Sequence, residues 1–139
     1  MKKQLQDNLY KKYKKIFRQK DLPKQQTCMC WGICCGDGWF WLLDMLCGRI
    51  QSYIDNNKHL KIKQVEAAQV KEKGGGLRFY IDGGDEKIDG CIWLAEYMSF
   101  HVCETCGSTK NIRPQAKRGW INTICNTCFK ENEKNRKKG

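Results

Sequence analysis

The chain has 139 residues, ten cysteines and 26 Lys+Arg against 15 Asp+Glu, a formal net charge of +11. That length allows one domain, with at most a small appendage, and excludes a large core. No secretory signal is readable in Met1-Lys2-Lys3-Gln4, and the most apolar stretch, Trp31 to Cys47, is interrupted by Asp37 and Asp44 and is short for a bilayer span. A cytoplasmic protein with reduced or metal-bound thiols therefore fits better than a secreted disulfide scaffold.

The charge is unevenly placed. Residues 1–20 carry eight Lys/Arg against one Asp, and residues 129–139 carry five against two, while the rest is nearly neutral. Terminal basic runs are often only solvated tails, so charge alone does not establish a nucleic-acid partner.

Residues 2–18 set Leu5, Leu9, Tyr13, Ile16 and Phe17 on one face, which predicts an amphipathic helix stopped at Asp21-Leu22-Pro23. Its apolar stripe docks on the body, or its lysines Lys11, Lys12, Lys14 and Lys15 reach phosphates or a partner. A membrane surface is a weaker third option for such a helix.

Residues 24–36 read as an irregular segment. Its cysteines Cys28, Cys30, Cys34 and Cys35 lack a standard finger spacing; they are either small buried hydrophobes or, with Cys47 or Cys91, ligands of a second metal. Asp37 is placed to cap a helix running to about residue 55, along which Trp39, Leu42, Leu43, Leu46, Ile50, Tyr53 and Ile54 recur at helical spacing. Burying such a set is worth about 10–20 kcal/mol before entropy is subtracted, which makes this helix the main core element.

Strand character follows over 61–72 and again over Leu77 to Ile81, joined at Gly74-Gly75-Gly76 as a hairpin. The glycines are a plain turn, because no Lys-Ser/Thr follows them to make a phosphate loop. Asp85 to Phe100 is a second helix, with Ile88, Cys91, Ile92, Ala95 and Met98 toward one face and Trp93, Leu94 and Tyr97 widening the apolar surface. It runs straight into the last module without a linker.

That module carries the most specific signal. Cys103-Glu104-Thr105-Cys106 and Cys125-Asn126-Thr127-Cys128 are two Cys-x-x-Cys pairs with eighteen residues between them. Two intervening residues let both sulfurs of a pair face one ion, and a segment of this length brings the second pair round to complete a tetrahedron. One structural Zn²⁺ held by Cys103, Cys106, Cys125 and Cys128 is the expected cofactor. Asn111-Ile112-Arg113 and Trp120 to Ile124 pair as strands around a basic turn, and the second cysteine pair opens a helix to about Lys137. The expected fold is α+β: amphipathic helices on a small antiparallel hairpin, with a C-terminal treble-clef or zinc-ribbon-like finger. Its divisions are a basic helix over 1–22, a body over 23–101 and the finger over 102–139.

Several stretches together resemble a family of small phage and prophage proteins. They are Trp31-Gly32-Ile33 with Cys35-Gly36-Asp37-Gly38-Trp39, Leu43-x2-Leu46-Cys47-x2-Ile50, and Gln69-Val70-Lys71-Glu72-Lys73 with Gly75-Gly76-Leu77-Arg78-Phe79-Tyr80. The resemblance continues through Gly83-Gly84-Asp85, the four finger cysteines and Gly119-Trp120, covering roughly residues 31–128. The N-terminal helix lies outside it, and Gly74 stands where the family pattern has an aromatic. The resemblance implies a phage origin and a zinc finger, and it brings no activity with it. Accessory phage proteins of this size act on host regulators or defence systems, so it also implies a host-cell setting.

Three classes of function follow. A zinc-finger nuclease of the His-Asn-His type needs a histidine beside the finger, and neither His59 nor His101 lies between the cysteine pairs. Four cysteines also close the open position that a catalytic zinc keeps. Asp37, Asp82, Asp85 and Asp89 mostly adjoin glycine, where Asp is an ordinary turn or cap residue rather than a Mg²⁺ ligand. Cys35 or Cys91 as a nucleophile lacks a nearby histidine. The chain is therefore expected not to be an enzyme. Binding to and inhibition of a host protein or nucleoprotein complex, in an anti-defence or regulatory role, is the leading expectation. Nucleic-acid binding is the alternative. No acidic residue occurs from Gly107 to Thr127, Arg113, Lys117 and Arg118 are phosphate contacts, and Trp120 is a stacking surface.

Overall fold

The structure is a computed structural model that describes residues 1–117 and 119–139, with Lys117 described in its backbone only. Among these residues the architecture is α+β. Four α-helices, α1 (Lys3–Lys12), α2 (Phe40–Asn56), α3 (Glu86–Ser99) and α4 (Asn126–Lys138), surround two small sheets. The first sheet has the order β1-β2-β3, from Ile33–Cys34, Glu66–Lys73 and Gly76–Asp82; the second pairs β4 (Ile112–Lys117) with β5 (Trp120–Cys125).

The central hairpin is the expected one. Val70 pairs with Phe79 and Lys73 with Gly76, and the turn residues Gly74 and Gly75 have φ of +62° and +86°, a conformation open to glycine at no steric cost. Strand β2 starts at Glu66 rather than near 61. The sheet is mixed, not purely antiparallel, because Ile33 and Cys34 pair in parallel with Val70 and Lys71. Two residues are too few to show an alternation, so this strand was unreadable as one.

Both edges of the sheet are closed by helix side chains. On the β3 edge the Leu77 N–H donates to Ser99 Oγ at 2.8 Å and the Phe79 N–H to Glu96 Oε1 at 3.0 Å, both from α3. On the β1 edge the Ile33 N–H donates to Gln6 Oε1 of α1 at 2.9 Å. Exposed edge amides template unwanted strand pairing, and these polar side chains remove them from solvent.

Helix α2 is the core element its pattern predicts: Leu42, Leu43, Leu46, Cys47, Ile50 and Tyr53 are buried. Asp37 does not cap it. Trp39 occupies the N-cap, and the Asp37 carboxylate instead accepts the Lys2 N–H at 2.7 Å, with the Lys2 ammonium at 3.5 Å. At its far end the Asn56 and Asn57 side-chain amides donate to the carbonyls of Ser52 and Tyr53, both at 2.8 Å, satisfying groups a helix end leaves orphaned. Asp85 does cap α3, accepting the Ile88 N–H at 3.0 Å. That hydrogen bond, helped by the Tyr53 hydroxyl, holds its carboxyl below the usual carboxylate range.

The N-terminal helix is shorter than its apolar pattern. It stops at Lys12, and Tyr13, Ile16 and Phe17 enter the core from the turns that follow. Lys11 and Lys15 would repel at i,i+4 on a continued helix. Tyr13 is also held away from helical geometry: its hydroxyl donates to the Asp44 carboxylate at 2.6 Å and lies 2.9 Å from the Asp44 carbonyl. The docking reading of this helix is the one the structure shows.

The finger seats on the body through backbone. The Gly38 N–H donates to the Glu104 carbonyl at 2.8 Å, the Gly36 N–H to the Glu104 carboxylate at 2.9 Å, and the buried Trp39 indole to the Val102 carbonyl at 2.9 Å. Gly36 and Gly38 make this approach possible. A Cβ on Gly38 would lie 2.1 Å from the Cys103 carbonyl oxygen, and one on Gly36 would lie 2.2 Å from that of Glu104. At the other end the Thr123 hydroxyl donates to the Gly75 carbonyl at 2.6 Å. Gly38→Ala is therefore expected to cost about 1–3 kcal/mol or more in urea unfolding. Gly90→Ala, in α3 with nothing within 4 Å of its added Cβ, is expected to gain about 0.5–1 kcal/mol.

Candidate metal centre

The four cysteines of the two pairs come together. Their sulfurs all lie within 4.8 Å of one another, and Cys106 Sγ is 3.7 Å from Cys125 Sγ. A tetrahedral zinc with bonds of about 2.3 Å sets its sulfurs about 3.8 Å apart, so the spacing fits the ion. It is far too long for a disulfide, whose sulfurs sit about 2.05 Å apart. Three of the thiols are buried and Cys106 is exposed.

Local backbone explains the convergence. The first pair lies on a knuckle closed by the Gly107 N–H donating to the Cys103 carbonyl at 2.8 Å, with Gly107 at φ +79°. The Cys103 N–H reaches the Ser108 carbonyl at 2.8 Å, and the Glu104 N–H reaches the Thr123 carbonyl of β5 at 2.9 Å, so knuckle and hairpin are tied. Cys125 ends β5 and caps α4, its sulfur accepting the Cys128 N–H at 3.5 Å. The N-terminal end of α4 thus faces the second pair. Around the sulfurs, Ile124 is buried and Ile112 and Phe129 pack against the cluster.

Electrostatics makes the same case. Burial raises the Cys103 thiol, but the backbone N–H groups of Cys106, Cys125 and Thr105 outweigh it and bring it down to about 7. Burial and its three neighbouring thiols push Cys128 strongly up. Four sulfurs this close cannot all ionise without a cation among them. Four thiolates on one Zn²⁺ fill its tetrahedron, which defines a closed structural site rather than a catalytic one. The class is therefore a small α+β protein built on one tetrathiolate zinc site. Comparison with protein-family models, curated proteins and solved structures finds no match.

The other predicted residues are placed as follows. Arg113 is exposed, with its guanidinium 5.7 Å from the Phe129 ring centroid. Trp120 is 71% exposed, and the β4–β5 register puts it on the face that carries Arg113. Arg118 and the Lys117 side chain lie outside the described residues. Lys12 is paired with Asp44 at 2.9 Å, whereas Lys11, Lys14 and Lys15 are exposed with no carboxylate partner among the described residues. No second thiol cluster forms among the described residues: Cys28, Cys30, Cys34 and Cys35 do not gather with Cys47 or Cys91. Cys35 is buried, and burial pushes its thiol up to about 12, which makes it inert as a nucleophile. Asp82 accepts from the Gln19 amide at 2.6 Å and Asp85 from the Ile88 N–H, so these two serve structure.

Sequence reading missed Gly36, Gly38 and Glu104 as the seat of the knuckle. The glycines bracketing Asp37 just before an apolar helix were the available signal, because paired glycines mark close backbone approach.

One equivalent of zinc per chain is expected by elemental analysis, falling to well under one for Cys125→Ser, with loss of the near-ultraviolet signal of the finger. Zinc binding displaces thiol protons, so apparent affinity in chelator competition is expected to fall as pH is lowered from 8 to 6.

Proposed function

We propose that this protein is a zinc-scaffolded binding module, not an enzyme, which occupies and inhibits or redirects a host protein or nucleoprotein complex. The phage origin and cytoplasmic host setting come with that reading from the family resemblance.

The observation that carries it is the outer face of α3. Ile88, Ile92, Ala95 and Ser99 face the core, yet Trp93, Leu94, Tyr97 and Met98 occupy the opposite side, with Trp93 74% exposed. A surface helix ordinarily turns polar side chains to solvent, and beyond the exposed Glu86, Lys87 and Asp89 of its first turns α3 presents these large apolar ones instead. Trp41 and Met45 of α2 continue this surface, and a groove of about 310 Å³ runs between the two helices, lined by Trp41, Met45, Cys91, Leu94 and Met98. Phe100 carries the apolar seam onto Gly76, and Ile121 of the finger onto Gly75. Trp41, Met45, Trp93, Leu94 and Tyr97 are each more than half exposed, and clustered exposed apolar side chains of this kind mark protein-interaction sites.

Charge narrows the occupant. Arg49 is the one charged residue lining the groove among those described. A second copy docked groove to groove would set one Arg49 against another; a partner with an apolar ridge and a carboxylate opposite Arg49 satisfies both terms. No helix among the described residues is long and apolar enough to cross a membrane, so the apolar face is not part of a helical span.

Affinity capture from bacterial lysate after nuclease treatment is expected to retain a defined protein with the intact chain and to lose it with Trp93→Asp or Leu94→Asp, at unchanged zinc content. Prey that vanish with nuclease, or that survive both substitutions, would overturn this reading in favour of a nucleic-acid-dependent one.

A further inference from the structure

A second surface, remote in sequence from the apolar face, is basic. Most basic side chains of the N-terminal segment are already neutralised. Lys2 lies 3.5 Å from Asp37, Lys3 2.6 Å from Asp7, Lys12 2.9 Å from Asp44 and Lys20 2.7 Å from Asp21, while Arg18 forks onto Glu66. Lys11, Lys14 and Lys15 are the exceptions. They are exposed and without an ion-pair partner among the described residues, although Asp7, Asp21 and Asp55 border the same clefts.

Two open clefts flank them. One, of about 480 Å³, is bordered by Tyr10, Lys11, Lys14, Arg18 and Lys20; the other, of about 210 Å³, by Lys11, Lys14, Lys15 and Gln51. Lys11 and Lys14 border both and form the ridge between them. The ridge is not a floppy tail: Leu9, Tyr13, Ile16 and Phe17 beneath it are buried in the main core, and Tyr13 is clamped to Asp44. Three unpaired lysines thus rise from an anchored backbone between two clefts.

We infer that Lys11, Lys14 and Lys15 form a docking ridge for the phosphate backbone of a nucleic acid. Isolated carboxylates nearby leave these amines unpaired, whereas a duplex supplies one negative charge per about 1.7 Å and releases counterions when its phosphates are neutralised. Phe17 and Tyr13 are buried, and the half-buried Tyr10 ring is already taken by Phe17, edge to face at 5.2 Å, and by the Lys20 ammonium at 5.6 Å, so none offers an open ring for base stacking. The contact is to phosphate alone and reads no sequence.

The test uses the zinc-loaded full chain with a fluorescent random-sequence 20-base-pair duplex and, separately, a single-stranded RNA, from 20 to 200 mM salt. For three phosphate contacts the plot of log K against log salt on the duplex is expected to have a slope of about −2 to −3. The triple variant Lys11→Gln/Lys14→Gln/Lys15→Gln is expected to bind at least tenfold more weakly at low salt, with most of that slope gone. Lys14→Gln alone is expected to reduce the slope by about one, which keeps the test informative if the triple variant is unstable. Lys110→Gln/Arg113→Gln on the finger is expected to bind like the parent. The inference is overturned if neither probe binds at 20 mM salt. It is equally overturned if the lysine variants match the parent, or if the finger variant alone abolishes binding. Trp93→Asp, which tests the apolar face, is expected to leave nucleic-acid binding unchanged.

Discussion

The fold depends on a close approach of two backbones. The zinc knuckle presses the Cys103 and Glu104 carbonyls onto the turn Gly36-Asp37-Gly38, at a distance that any side chain on either glycine would prevent. Around that contact the molecule assembles its other ties: the Trp39 indole to Val102, the Gly36 N–H to the Glu104 carboxylate, and Lys2 to Asp37. A finger of this size has little core of its own. The metal supplies much of its folding energy, about 10–16 kcal/mol for structural sites, and the backbone seat couples that energy to the body.

Seen this way, the finger is less an appended domain than a clasp. The knuckle grips the start of α2, and Thr123 of β5 grips the turn of the central hairpin at Gly75. The same placement sets the finger beside the apolar outer face of α3, since Ile121 and Phe100 pack on the adjacent turn glycines Gly75 and Gly76. The zinc therefore acts at one remove from any partner: it fixes the edge along which the partner would lie, and its own coordination stays closed.

Legibility in the sequence followed the strength of local rules. The four metal ligands could be named in advance because Cys-x-x-Cys spacing is dictated by the geometry of one ion. The central hairpin and α2 followed from period and turn chemistry. Failures came where a distant partner decides. Tyr13 ends the helix and places its hydroxyl on Asp44, 31 positions away. Asp37 looked like a helix cap and serves the amino-terminal backbone instead. Ile33 and Cys34 join the sheet only because β2 lies alongside. Trp93, Leu94 and Tyr97 were legible as a widening of the apolar surface of α3, but not as exposed. Periodicity ranks side chains by angle around a helix, but whether the far side meets protein or solvent is a tertiary fact.

The contacts between Gly38 and Glu104, and between Trp39 and Val102, also have a consequence for how the chain assembles. Each links positions more than sixty residues apart, with α2, β2, β3 and α3 inside the closed loop. Closing so long a loop in a disordered chain costs entropy that a few hydrogen bonds do not recover. The seat is therefore a late event, formed after the enclosed elements have collapsed and brought its halves near. Contacts of such long range slow folding.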